Sequence, residues 1–113
     1  CDGNFHGRTT TIISFSSDPD SKDKFGPHTP GFISIPYNDI EAATKALNAP
    51  NTIGILVEPI QGEAGVVVPD TDFLKAIRTR CTETNTLFIA DEIQTGLART
   101  GSMLAVCGNC STS

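Results

Sequence analysis

Two acidic residues each close a run of apolar ones: Glu58 follows Ile53-Gly54-Ile55-Leu56-Val57, and Asp91 follows Leu87-Phe88-Ile89-Ala90. A carboxylate reached from such a run is partly desolvated, which raises its pKa unless a cation or strong donors hold it charged. Groups of this kind serve either as electrostatic partners of a bound ligand or as loop caps facing water, and spacing alone leaves both readings open. The loops that follow, Gln61-Gly62-Glu63-Ala64-Gly65 and Gln94-Thr95-Gly96, are glycine-rich but match neither the P-loop nor the dinucleotide phosphate motif. His6 and His28 both lie early in the chain, so no Ser-His-Asp or Cys-His constellation is legible.

No metal site is expected. Cys107-Gly-Asn-Cys110 matches C-x-x-C, yet a structural zinc site needs a second pair and a redox motif needs a following helix, whereas only Ser111-Thr112-Ser113 comes after. Cys1, Cys81, Cys107 and Cys110 make a poor disulfide framework, which points to a reducing compartment. The sequon Asn109-Cys110-Ser111 is a short match of the kind that arises by chance. Asp18 and Asp20 begin like a calcium loop, but Lys22 stands where a third oxygen ligand belongs and Asp23 where the glycine belongs, so a solvated turn is expected.

The acidic residues need elements to hold them. From Gly31 onward the order is apolar Phe32-Ile33-Ser34-Ile35, then Asp39 to Leu47 with Ile40, Ala43 and Leu47 at helical spacing, then the run ending at Val57. Asp70, Thr71 and Asp72 supply capping groups before Phe73, Leu74, Ile77 and Cys81, which share one helix face, and the run Leu87 to Ala90 follows. Strands apolar on both faces belong to parallel sheets covered by helices, so the alternation predicts an α/β fold, a three-strand piece of an α/β/α sandwich. In such sheets ligands collect at the carboxyl ends of the strands, where Glu58 and Asp91 fall. Ser14 to Thr29, with Asp18-Pro19-Asp20 and Gly26-Pro27, reads as a surface loop. Arg8 to Phe15 is ambiguous, its β-branched residues favouring a strand with no identified partner.

Composition narrows the partners. The chain has 113 residues, 8 Lys and Arg against 13 Asp and Glu, and a net charge of −5. With no basic run, a nucleic-acid backbone or an anionic membrane would be repelled. No apolar run approaches the ~18–20 residues needed to span a bilayer. The chain opens at Cys1-Asp2-Gly3-Asn4 rather than at Met, so an upstream segment is expected.

Several separated motifs occur in a familiar order: Asn4-Phe5-His6-Gly7-Arg8-Thr9, Phe25-Gly26-Pro27, Pro36-Tyr37-Asn38-Asp39, Val57-Glu58-Pro59-Ile60-Gln61-Gly62-Glu63-Ala64-Gly65-Val66, and Phe88-Ile89-Ala90-Asp91-Glu92-Ile93-Gln94-Thr95-Gly96. Together, over about residues 2 to 106, the chain resembles the class III (ω-amino-acid) aminotransferases, and among them the ornithine δ-aminotransferase branch. The choice of branch rests on Glu63 to Pro69 and on Phe25-Gly26-Pro27 through Phe32, with acetylornithine and other ω-amino-acid branches as the alternative.

The resemblance implies a fragment of the α/β/α large domain of a fold type I, pyridoxal-phosphate-dependent transferase, with residues 1–106 inside that domain and 107–113 a divergent tail. It implies transfer of the δ-amino group of ornithine to 2-oxoglutarate by a homodimer, in mitochondria or cytoplasm, with no nucleic-acid or membrane partner. The implied site has Asp91 beside the cofactor's ring nitrogen, Gln94 at its phenolic oxygen and Phe5 stacked on the ring. Arg8 would hold a substrate carboxylate, Glu63 would mask a second, downstream arginine, and Glu58 would support from behind. The resemblance also turns the segment after Gly7 into a helix. It places the phosphate-binding turn upstream and the lysine that carries the cofactor downstream of this chain, whose own lysines, Lys22, Lys24, Lys45 and Lys75, fall elsewhere. A chain without that lysine would be inactive alone, or a non-catalytic remnant. His6 stands where animal-type ornithine enzymes often carry Trp.

Overall fold

The computed structural model describes residues 1–109. Its elements are α1 (Thr10–Ile13), α2 (Pro19–Lys22), α3 (Ile40–Leu47), β1 (Gly54–Val57), α4 (Thr71–Thr84), β2 (Leu87–Ala90) and α5 (Ala105–Asn109). β1 and β2 pair in parallel with Gly54 opposite Leu87 and Val57 opposite Ala90. A parallel pair needs a crossover, and α4 supplies it. Gly54 lies so near its partner that an added Cβ would come 2.8 Å from the Leu87 carbonyl oxygen, so a side chain there would push the strands apart.

α4 forms because Phe73, Leu74, Ile77 and Cys81 make a stripe that is buried along its length. Asp70 does not cap it by side chain as expected; its carboxylate accepts from Asn38 Nδ2 at 3.1 Å instead, which ties the helix start to the turn before α3. The helix stops at Asn85, whose left-handed φ of 54° turns the chain so that Thr86 N–H reaches the Cys81 carbonyl at 2.9 Å. α3 is capped by Asp39, whose Oδ1 accepts from Ala42 N–H at 2.8 Å, and it buries Ala43 and Leu47 against α4. Phe73 also meets Tyr37 edge-on at 5.3 Å. Each fully buried large apolar side chain contributes roughly 1.5–3 kcal/mol.

The core sits on one face of the sheet, where Ile55, Val57 and Phe88 meet α3 and α4. Leu87 and Ile89 point the other way and are 62% and 48% exposed, so among the described residues the expected second helical layer is not found. Phe32 to Ile35, expected as a third strand, forms no strand among the described residues; Asp2 N–H donates to the Ile35 carbonyl at 2.8 Å. A strand exists by its ladder, and one bond does not make one. The ambiguous segment resolves as helix: Ile13 N–H bonds the Thr9 carbonyl at 2.9 Å and Ile13 is buried, so packing outweighs β-branched propensity. Inside the expected surface loop, Asp18 caps the single turn α2 by accepting from Asp20 N–H at 3.0 Å and Ser21 Oγ at 2.6 Å. Those bonds use the oxygens that a calcium loop would aim at the ion. Among the described residues no group of His, Cys, Asp and Glu could hold a metal, and no helix is long and apolar enough to cross a membrane. Cys110 lies outside the described residues.

Candidate active site

Parallel pairing in the observed register puts the residues after Val57 and Ala90 at the same end of the sheet, and Asp91 N–H donates to the Val57 carbonyl at 2.8 Å. Glu58 is buried and the Asp91 side chain is 12% exposed. The segment from Asp2 to Gly7 crosses both strand ends and is fastened at each. Gln61 Nε2 donates to the Asp2 carbonyl at 2.8 Å, Phe5 N–H to Glu58 Oε2 at 3.1 Å, and His6 Nδ1 lies 2.6 Å from Asp91 Oδ2. Buried Asn4 holds the bend between them, its Nδ2 donating to the carbonyls of Cys1 at 2.7 Å and Phe15 at 3.0 Å. His6 Nδ1–H donates to the carboxylate, and its ring packs 5.9 Å from that of Phe15.

Two loops complete the walls. The first is pinned by the antiparallel bridge Gln61 to Val67 and carries exposed Glu63. The second runs on from Asp91, whose Oδ1 accepts from Ile93 N–H at 3.0 Å. Glu92 anchors that loop: its carboxylate accepts from Ala105 N–H at 3.0 Å, from Val106 N–H at 2.9 Å and from the Thr95 hydroxyl. Gln94 is thereby presented beside Gly62. The result is a pocket of about 340 Å³ lined by Phe5, His6, Glu58, Glu63, Asp91 and Gln94 among others, within the usual range for a small ligand. Arg8 does not line it; its guanidinium stands 5.7 Å from the centre of the Phe5 ring, at the rim. A larger hollow of about 660 Å³ lies along the uncovered sheet face, among Phe32, Ile33, Leu56, Leu87 and Ile89, and no carboxylate lines it.

Burial raises the Glu58 pKa above the usual carboxylate range, and the negative charge of Asp91 adds to the rise, while the Phe5 N–H and His6 oppose it. Burial also raises the Tyr37 hydroxyl, helped by Glu58, and that hydroxyl donates to the carbonyls of Glu58 at 2.8 Å and Pro59 at 3.1 Å. Every expected site residue except Arg8 therefore meets in one pocket. Three contributors were not singled out by sequence reasoning: His6 as the partner of Asp91, Tyr37 as the brace behind Glu58, and Glu92 as the anchor of the Gln94 loop. None has a local spacing signal, because each partner lies on a different segment. Lys22, Lys24, Lys45 and Lys75 all lie away from the pocket lining.

Residues 1–109 match the family described as aminotransferase class-III. The mitochondrial ornithine aminotransferase of Rattus norvegicus is 61% identical over 104 residues, covering 92% of this chain and 24% of that protein. The crystal structure of the ornithine aminotransferase from Toxoplasma gondii ME49 superposes with a TM-score of 0.94 at 49% identity, covering 96% of this chain and 26% of that one. An acetylornithine aminotransferase structure from Elizabethkingia anophelis is 56% identical with a TM-score of 0.73, covering 97% of this chain and 26% of its own. The chain spans about a quarter of the length of the curated relatives it matches. Its α/β architecture is thus a fragment of the fold type I transferase large domain, and by sequence and by fold the chain belongs to the class III aminotransferases.

Proposed function

We propose that this chain is part of a pyridoxal-phosphate-dependent aminotransferase that moves the δ-amino group of ornithine to 2-oxoglutarate, giving glutamate semialdehyde and glutamate. The observation that carries the reading is the gathering of Phe5, Glu63, Asp91 and Gln94 in one pocket at the carboxyl ends of two adjacent parallel strands. These residues suit the cofactor. Asp91 has one bond on each oxygen, and a carboxylate offers about four acceptor positions, so it can still accept from a protonated ring nitrogen. Phe5 is 38% exposed and presents a face for stacking, and Gly62 leaves room beside the Gln94 amide.

Pyridoxal phosphate supplies an electron sink for the carbanion left when a proton leaves the substrate. The chain's residues make that sink usable. Asp91 holds the proton on the ring nitrogen, and His6 fixes the plane of its carboxylate. Gln94 would hold the phenolic oxygen by a hydrogen bond, and Phe5 would offer its face for the ring to stack on. Arg8 at the rim offers a two-pronged fork to a substrate carboxylate, while Glu63, exposed at the pocket wall, would mask a second arginine supplied by the rest of the protein while ornithine is bound. Glu58 supports from behind by holding Phe5 N–H.

Residues 1–106 are read as part of the cofactor-binding large domain, and the working protein as a homodimer acting on small molecules, with no nucleic-acid or membrane partner, in mitochondria or cytoplasm. The rat relative's name supports the former location. A second reading, acetylornithine as amino donor, is favoured by the 56% identity to the Elizabethkingia protein. A full-length chimera in which this chain replaces the matching segment of the rat relative tests both. Ornithine-dependent glutamate formation well above that with N-acetylornithine is expected; the reverse preference would overturn the ornithine reading.

A further inference from the structure

Gly62 opens the turn after Gln61, with Gly65 N–H donating to its carbonyl at 3.0 Å and Val66 N–H at 3.2 Å. Its φ is not among the positive ones, so its backbone would admit any residue. What excludes a side chain is the space. A Cβ built on Gly62 would stand 2.6 Å from Nε2 of Gln94 and nearer still to Oε1 and Cδ. Gly65, in the same turn, is the opposite case: its φ of 99° demands glycine, and a Cβ there meets nothing within 4 Å.

We propose that Gly62 is a positioning residue for Gln94, its missing side chain forming the seat that aims the Gln94 carboxamide into the pocket. This rests on the reading of Gln94 as the group that meets the cofactor. The backbone on either side of the contact has little room to yield. Glu92 binds the start of α5 and the Thr95 hydroxyl, Gly96 N–H bonds the Glu92 carbonyl at 2.8 Å, and the Gly62 turn is held by the Gln61 to Val67 bridge. The carboxamide, at the end of two rotatable bonds beyond Cβ, is the part that moves. A methyl on residue 62 therefore costs little in folding and much in aim, because a displaced amide would no longer point at the cofactor's phenolic oxygen, and a hydrogen bond weakens steeply with angle.

The experiment uses the full-length chimera, comparing Gly62→Ala, Gln94→Ala and the double variant, with Gly65→Ala as the variant that strains the same turn without touching Gln94. The readouts are the dissociation constant of pyridoxal phosphate from the apoprotein and the visible absorption of the bound cofactor. Gly62→Ala is expected to weaken binding by about tenfold and to shift the absorption, the size of one lost hydrogen bond. In the Gln94→Ala background it is expected to add less than about twofold, the mark of acting through that residue, whereas Gly65→Ala contributes the same factor in both backgrounds. Should Gly62→Ala lower the melting temperature, trimming the neighbour with Gln94→Gly is expected to restore it. An equal loss for Gly62→Ala in both backgrounds, or a melting loss that trimming does not recover, overturns the proposal. Gln94→Ala with unchanged affinity and spectrum removes the reading of Gln94 and this proposal together; a loss for Gln94→Ala beside an unaffected Gly62→Ala overturns the proposal alone.

Discussion

His6 Nδ1 lies 2.6 Å from Asp91 Oδ2, although the two are 85 positions apart in sequence, and the histidine side chain is 4% exposed. The pair joins the N-terminal segment to the end of β2 and fixes the carboxylate in the plane from which it faces the pocket. A hydrogen bond to a charged group is among the stronger kinds, and its partner is costly to strand when buried.

Replacing His6 by Phe keeps an aromatic ring, a somewhat larger one, and removes the donor. The expected result is a loss of roughly 1–3 kcal/mol in unfolding free energy of the full-length chimera, with weaker retention of pyridoxal phosphate. Urea unfolding followed by fluorescence measures the first and dialysis the second. A variant matching its parent in both would show the contact to be incidental.

Asp91→Asn is expected to lower kcat about a hundredfold, or ~2.7 kcal/mol of barrier, while the cofactor remains attached, because a neutral amide no longer favours the protonated ring nitrogen. Steady-state kinetics beside a visible spectrum of the purified variant would decide it. Activity within about threefold of the parent, under ~0.7 kcal/mol, would mean that another group carries the role.

The raised pKa of Glu58 makes a pH prediction. A carboxyl whose folded pKa lies above its unfolded value of 4.5 stabilises the fold fully below that value, and the contribution is lost as pH rises through the folded one. His6 and Asp91 share its surroundings, and both are kept in a Glu58→Gln variant that still accepts from Phe5 N–H. Unfolding of parent and variant across acid to neutral pH should therefore diverge, the parent losing more stability as pH rises. Parallel curves would refute a raised Glu58.

The 113-residue chain on its own is expected to self-associate and not to transaminate. Among the described residues, Ile53, Leu87 and Ile89 are 81%, 62% and 48% exposed on or beside a two-strand sheet with both edges open, and no lysine lines the pocket. Size-exclusion chromatography with an ornithine assay checks this. A sharp monomer peak with cooperative unfolding, or turnover at an enzyme's usual ~1–10³ per second, would contradict it.

Where burial is periodic, the sequence was informative. α3, β1, α4 and β2 lie within a residue or a turn of their expected places, because Ala43 and Leu47, or Phe73, Ile77 and Cys81, record which side faces the core. Phe32 to Ile35 misled because an apolar run fixes neither burial nor a pairing partner: Phe32 and Ile33 are exposed and within the segment only Ile35 is buried. Glu58 and Asp91 were legible as acids at strand ends, and the resemblance supplied Phe5, Glu63 and Gln94. His6 was invisible as the partner of Asp91, since only the tertiary path of the Asn4-anchored segment brings the two together.

The register of β1 against β2 sets different tolerances for two kinds of genetic change. With Val57 opposite Ala90, Glu58 and Asp91 occupy one row, and side chains in a strand alternate between faces. Point substitutions at Leu87 or Ile89 leave that row intact. Deleting or inserting one codon inside either strand would instead turn its acid toward the opposite face, so length polymorphism in these segments is expected to be purged far more stringently than replacement of their residues.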